Sequence, residues 1–140
     1  METSQTRVFP ARFDVLAAVS EFVVQAAASA GLDESAAYAV QMAVDEAFTN
    51  IVEHAYGGED RGDVECTCRA GPEGLTVILR DFGQAFCPEC VPEPNLSACI
   101  EERQPGGLGL YFIRQLMDEV HFEFTSDSGN VLTMVKLKSP

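Results

Sequence analysis

The apolar period of this chain changes sharply at Gly57-Gly58, and that change limits the folds open to it. Upstream, Phe13, Leu16, Ala17, Phe22, Val23 and Ala26 recur at helical spacing until Gly31 closes the segment. Asp33 reads as the N-cap of a second helix, running from residue 34 to about 55. Downstream of the glycines, Val64, Cys66, Cys68 and Ala70 alternate with Glu65, Thr67 and Arg69, the pattern of a strand with one dry face. Gly71-Pro72-Glu73-Gly74 turns the chain, and Leu75, Val77 and Leu79 alternate again, with Asp81 on their face. Helical spacing returns after Gly106-Gly107-Leu108-Gly109, carried by Leu110, Ile113 and Met117. Val120, Phe122 and Phe124 then mark a strand, residues 127–130 a turn, and residues 131–138 a last strand. Residues 3–9 read as an opening strand stopped by Pro10. Short turns imply antiparallel pairs, and the helices need one sheet face for their apolar stripes. The expected class is α+β, a two-layer α/β sandwich.

A chain of 140 residues is the size of one domain, here 1–140, and needs no disulfide or metal to build a core. The hydrophobic share of 46% against 22% charged residues excludes a disordered chain. Nine Lys+Arg against 22 Asp+Glu give a net charge of −13, which repels phosphate backbones and anionic membranes and suits a basic protein partner. Lys136 and Lys138 are the only lysines, so no Gly-rich loop ends in the Gly-Lys-Ser/Thr of a P-loop. The polar opening decapeptide does not read as a signal peptide, and no apolar run is long enough to span a bilayer. The chain reads as cytoplasmic, and its five cysteines as reduced thiols unless a metal claims them.

Three segments carry chemistry. In Asp45-Glu46-Ala47-Phe48-Thr49-Asn50, Glu46 and Asn50 are four apart and share a helix face. The Asn50 amide oxygen suits Mg²⁺, and the Glu46 carboxylate suits a general base. Read alone, the pair is equally a solvated helix face. In Asp81-Phe82-Gly83 the Asp81 carboxylate points toward the core, where a ligand amino group would satisfy it, and Gly83 allows close approach. Read alone, this is equally an Asp-capped strand end. The glycines at 106, 107 and 109 precede a helix whose N–H groups make an anion site, though a plain loop-to-helix turn also needs glycine. Residues 83–105, with four prolines and no strand pattern, read as a lid.

In this order and spacing the segments resemble the GHKL (histidine kinase-like, Bergerat) ATPase fold, and within it the RsbW/SpoIIAB-like anti-sigma factor serine/threonine protein kinases. The likeness rests on residues 44–50 (VDEAFTN), 81–86 (DFGQAF), 106–120 (GGLGLYFIRQLMDEV) and 129–133 (GNVLT), and extends over essentially the whole chain. It implies a mixed, mostly antiparallel sheet covered on one face by helices, with ATP and Mg²⁺ as cofactors. It implies that Asn50 coordinates Mg²⁺ bridging the phosphates, and that Glu46 is the base for transfer to a serine of a small anti-sigma factor antagonist. It implies that Asp81 receives the adenine amino group with Gly83 permitting that approach, that Gly107 and Gly109 pass the backbone around the phosphates, and that Thr133 supports adenine beside Asp81. With no lysine in reach, Arg103 in the lid is assigned to the terminal phosphate; read alone, it is equally a solvated loop residue. The same likeness implies a sigma factor as second partner, and a homodimer formed through the opening strand and first helix. No direct nucleic-acid or membrane contact is expected.

The chain departs from the family where Cys87-Pro88-Glu89-Cys90 stands in place of a common Asp-Pro. With Cys66 and Cys68 upstream, that spacing admits a zinc site, and Cys87 with Cys90 a lid disulfide; buried apolar packing of Cys66 and Cys68 is the simpler reading. His54 reads as a core or cap histidine and His121 as exposed. Three rivals to a kinase stand: an ATP-binding regulatory module that holds a partner and transfers nothing, a two-component histidine kinase domain, and a zinc-held interaction domain. The second is disfavoured by the missing helix pair with a phospho-accepting His.

Overall fold

The structure, a computed structural model, describes residues 2–84 and 107–138, and within these the side chains of all but 107–110. Strand β1 (Thr3–Pro10) leads through a short 3-10 turn (Phe13–Val15) into helix α1 (Leu16–Ser29), and helix α2 (Glu34–Asn50) follows. Gly31, at φ 78, closes α1, and the Asp33 carboxylate accepts from Ala36 N at 2.8 Å to cap α2 as expected. The α-helix stops at Asn50. The next five residues, Ile51–Ala55, form a π-turn in which Tyr56 N donates to Ile51 O. Strands β2 (Asp63–Ala70) and β3 (Gly74–Asp81) follow, then helix α3 (Gly107–Leu116), β4 (Glu119–Thr125) and β5 (Gly129–Leu137).

The sheet order is β1-β2-β3-β5-β4. Among the described strands every pairing is antiparallel, which corrects the expected mixed sheet. The hairpin from β4 to β5 inserts β5 beside β3. Strands β3 and β4 run in the same direction, but β5 separates them, so no parallel ladder forms.

The helices cover one sheet face. Val19, Phe22, Val23 and Ala27 of α1, Val44 and Phe48 of α2, Ile113 of α3 and Met117 just after it are buried in one core with Val77, Leu79, Leu132 and Met134. Helix α1 lies over β2 and β3, α3 lies toward β4, and α2 packs against both helices. Both lysines sit at helix C-termini, where a cation is favoured. Lys136 Nζ donates to Leu116 O at 2.8 Å, and the Lys138 side chain lies over Gly31. His121 is exposed, as expected; His54, expected as a core or cap residue, is exposed too, in the last turn of the π-helical segment, which removes the core reading. No described helix is long and apolar enough to cross a membrane.

Cys66 and Cys68 are buried free thiols on the helix-covered face, packed as small apolar residues. The hydrogen bond between them, then burial, pushes the Cys66 thiol well above its ordinary value. No group of three or more metal-binding side chains occurs among the described residues; Cys87 and Cys90 lie outside them, so the full zinc and disulfide readings do as well. We expect iodoacetamide at mildly alkaline pH to leave Cys66 and Cys68 unmodified in the folded protein and to label both after unfolding, read by peptide mass mapping. Rapid native labelling would contradict their burial.

Candidate functional site

Two adjacent carboxylates on α2 have opposite assignments. Ser20 Oγ donates to Asp45 Oδ1 at 2.8 Å, so Asp45 faces α1. Burial raises the Asp45 carboxyl above its ordinary value, and the Ser20 bond partly opposes this. One residue on, Glu46 is turned about 100° around the helix, onto the flank away from α1. Asn50 lies on the same flank one turn later. Both side chains are half-buried, and neither takes a hydrogen bond from the described residues. Spacing predicts the shared face; only the Ser20 contact shows which carboxylate is left over.

The π-turn after Asn50 joins this flank to the end of β3. It carries the Ala55 carbonyl out to accept from Gln84 N at 2.7 Å. A side chain at Gly83 would place Cβ 2.4 Å from Ala55 O, a distance no packed structure allows. Glycine is therefore required at 83 by the backbone of Ala55, whereas the sequence suggested a ligand as the reason. Tyr56 adds a second tie: its hydroxyl donates to Asp63 O at 2.6 Å and accepts from Phe82 N at 3.0 Å. The Tyr56 ring fills the space over Gly62, where a Cβ would clash.

Asp81 ends β3 with 3% of its surface exposed. Its carboxylate accepts from Gly83 N at 2.9 Å and from Asn130 Nδ2 at 3.0 Å, and both bonds fall on Oδ1. Burial raises the Asp81 carboxyl above the usual range, and the donors from Asn130 and Gly83 pull it back. No described residue donates to Oδ2.

Thr133 is not beside Asp81, which corrects the expectation. Asp81 pairs with Asn130 across β3 and β5, and Leu79 with Leu132, so even-numbered β5 residues share the covered face. Thr133 pairs with Ile78 and His121 on the opposite face. The residue that meets Asp81 is Asn130, which sequence reasoning placed in a turn and in the 129–133 stretch without giving it a role. Gly107 and Gly109 lie in the first turn of α3, whose leading N–H groups have no intrahelical acceptor. Arg103 and most of the expected lid lie outside the described residues. The structure thus gathers Glu46, Asn50, Asp81 and Gly83 along one path, from the flank of α2 through the π-turn to the end of β3.

Comparison with known proteins points the same way. Residues 9–136 match the model of the histidine kinase-like ATPase domain. The serine-protein kinase RsbW of Bacillus velezensis is 36% identical over 101 residues, covering 69% of this chain and 62% of that protein. RsbW of Halalkalibacterium halodurans is 37% identical over 101 residues, covering 69% of this chain and 60% of that protein. The match thus spans about three-fifths of the length of these relatives. The serine/threonine-protein kinase BtrW of Bordetella bronchiseptica is 28% identical over 103 residues, covering 74% of this chain and 72% of that protein. A crystal structure of the RsbU and RsbW domains of a Mycobacterium tuberculosis protein superposes with a TM-score of 0.65 at 17% identity, covering 99% of this chain and 33% of that one. That likeness shows the fold, and with the family match over residues 9–136 it gives the conclusion: the chain belongs to the histidine kinase-like ATPase domain family.

Proposed function

We propose that this chain is a Mg²⁺- and ATP-dependent serine protein kinase acting as an anti-sigma factor, which phosphorylates a small anti-sigma factor antagonist and binds a sigma factor. The observation that carries the reading is Asp81: a buried carboxylate with both described bonds on one oxygen, at the end of the path that begins at Glu46 and Asn50. A buried charged acceptor is costly unless a donor meets it, and the 6-amino group of adenine is such a donor. The RsbW relatives carry the kinase name, which supports the transfer reaction for this site.

In this reading the nucleotide lies between the end of β3 and the flank of α2. Asp81 Oδ2 accepts from the adenine amino group. The N–H groups opening α3 face the phosphates, with Gly107 and Gly109 leaving the backbone uncovered. Asn50 would hold Mg²⁺, which would supply positive charge to offset the phosphates. Asn50 fits it, because Mg²⁺ keeps several waters and takes few protein ligands, and the Asn50 amide oxygen has no competing donor among the described residues. Glu46 then takes the proton of the acceptor serine as its oxygen bonds to the γ-phosphorus and the bond to ADP breaks. Positioning and charge stabilisation supply most of the acceleration in such transfers. Arg103 is the lid cation of this scheme. The acidic surface suits a basic face on the sigma factor, and a homodimer in the cytoplasm completes the proposal.

Two outcomes test it. Glu46→Gln should lower phosphorylation of an antagonist domain by roughly 10²–10⁴-fold while ATP affinity holds within about twofold, measured with labelled ATP and by calorimetry. A wild type that binds ATP yet labels no antagonist would favour the non-transferring regulatory module. Asp81→Asn should abolish measurable ATP binding while stabilising the fold. The Asp81 carboxyl is raised in the folded state, so the fold holds its proton more tightly than the unfolded chain does. Stability from this group is present below the unfolded value and lost as pH rises through the raised one. The melting temperature of the variant relative to wild type should therefore climb from about pH 4 to neutrality. A constant difference would contradict the raised value.

A further inference from the structure

We infer that the outer seam between α1 and α2 is a docking site for a basic amphipathic helix of a partner protein; this goes beyond the nucleotide site and does not rest on it. Residues 30–33 alone separate the two helices, which makes them antiparallel neighbours, and the Ser20 bond to Asp45 fixes their level. One turn further along α1, Val24 comes level with about residue 41, beside Met42, and Ala28 with about residue 37, beside Tyr38. Three large apolar side chains stand out along this seam: Tyr38 is 62% exposed, Met42 43% and Val24 36%. Val19 and Val23 of α1 and Val40, Ala43 and Val44 of α2 are fully buried, so the three exposed side chains lie on the face turned away from the core. A single exposed apolar residue is ordinary. Here Tyr38 and Met42 are four apart on one helix face, and Val24 adjoins them on the next helix, which makes a patch.

Charge selects the occupant. Residues 13–53 contain seven Asp and Glu and no Lys, Arg or His. Two of these carboxylates, Glu34 and Glu21, are exposed at the two ends of the patch: Glu34 is one turn before Tyr38 on α2, and Glu21 one turn before Val24 on α1. Neither has a cationic partner among the described residues. A second copy of this chain would bring the same seven carboxylates against these, and a phosphate backbone or an anionic lipid surface would be repelled as well. A helix with an apolar stripe and Lys or Arg along its margins meets both features. Its stripe covers Tyr38, Met42 and Val24, and its long cationic side chains reach Glu21 and Glu34. Tyr38 is the anchor, because a tyrosine ring offers a large rigid contact at small entropic cost.

The probe is a fluorescent synthetic helix of about 18 residues with a leucine stripe and lysine margins. It is titrated with the full chain, without nucleotide, at about 0.15 M salt, and binding is read by anisotropy. The control is a shuffled peptide of identical composition that has no stripe. The amphipathic helix should bind roughly tenfold or more tighter than the shuffled peptide, and Tyr38→Ser with Met42→Ser should remove that advantage. Glu21→Gln with Glu34→Gln should weaken binding roughly three- to tenfold and flatten its salt dependence. All four side chains are exposed, so both variants should melt near the wild-type temperature. Equal binding of the two peptides would overturn the site, as would no binding of either, or wild-type affinity in both variants. A wild-type dimer that Tyr38→Ser with Met42→Ser disperses would show that a second copy covers the seam, and would overturn the basic partner. ATP binding and phosphotransfer play no part in this readout, so failure here leaves the kinase reading standing, and a chain that binds no ATP leaves this inference standing.

Discussion

The close approach of Gly83 to the Ala55 carbonyl is the contact on which the candidate site depends. It joins two parts of the chain that carry different chemistry: a helix flank bearing Glu46 and Asn50, and a strand end bearing Asp81. A regular α-helix through Ala55 would direct its carbonyls along its own axis. The π-turn leaves the Ala55 carbonyl to Gln84 N, and glycine at 83 lets the two backbones meet. Tyr56 closes the other side by bridging Asp63 O and Phe82 N. The distance between the α2 flank and Asp81 is thus set by backbone contacts, which give less than side-chain contacts do.

Electrostatics are unusual for a domain proposed to hold a triphosphate. The net charge is −13, and both lysines are committed to helix C-termini, one through Leu116 O and one over Gly31. In the proposed function charge compensation would come from Mg²⁺, arginine and backbone N–H groups, so divalent cation would weigh heavily in affinity. Asp45 and Asp81 are both held above their ordinary values by burial, against the interest of stability at neutral pH. Asp45 is answered within the fold by Ser20. Both described bonds to Asp81 fall on Oδ1, and that contrast with Asp45 is what supports the proposed binding role.

Much of this was legible in the sequence. The i, i+4 spacing placed Glu46 and Asn50 on one flank, and alternation placed Asp81 on the covered face. Both follow from a single period, which a sequence displays directly. The features that were not legible depend on pairing between distant segments. In Val131-Leu132-Thr133-Met134-Val135 both alternating sets contain apolar residues, so either could face the core; the register Leu79 opposite Leu132 decides, and it puts Thr133 outside and Asn130 beside Asp81. The π-turn leaves no period of its own over five residues. The requirement at Gly83 was visible as a glycine, but its cause, the Ala55 backbone, lies 28 positions earlier. The sheet came out wholly antiparallel among the described strands because β5 inserts between two strands that run in the same direction, an order that turn lengths do not reveal.

Calorimetry of Mg²⁺ and ATP binding to Gly83→Ala beside the wild type tests the junction most directly. A methyl at 83 must part the backbones and break the Gln84 N to Ala55 O bond, so binding should weaken several-fold or more while the wild type binds normally. Equal affinity in both proteins would contradict the claim that this contact sets the geometry of the site.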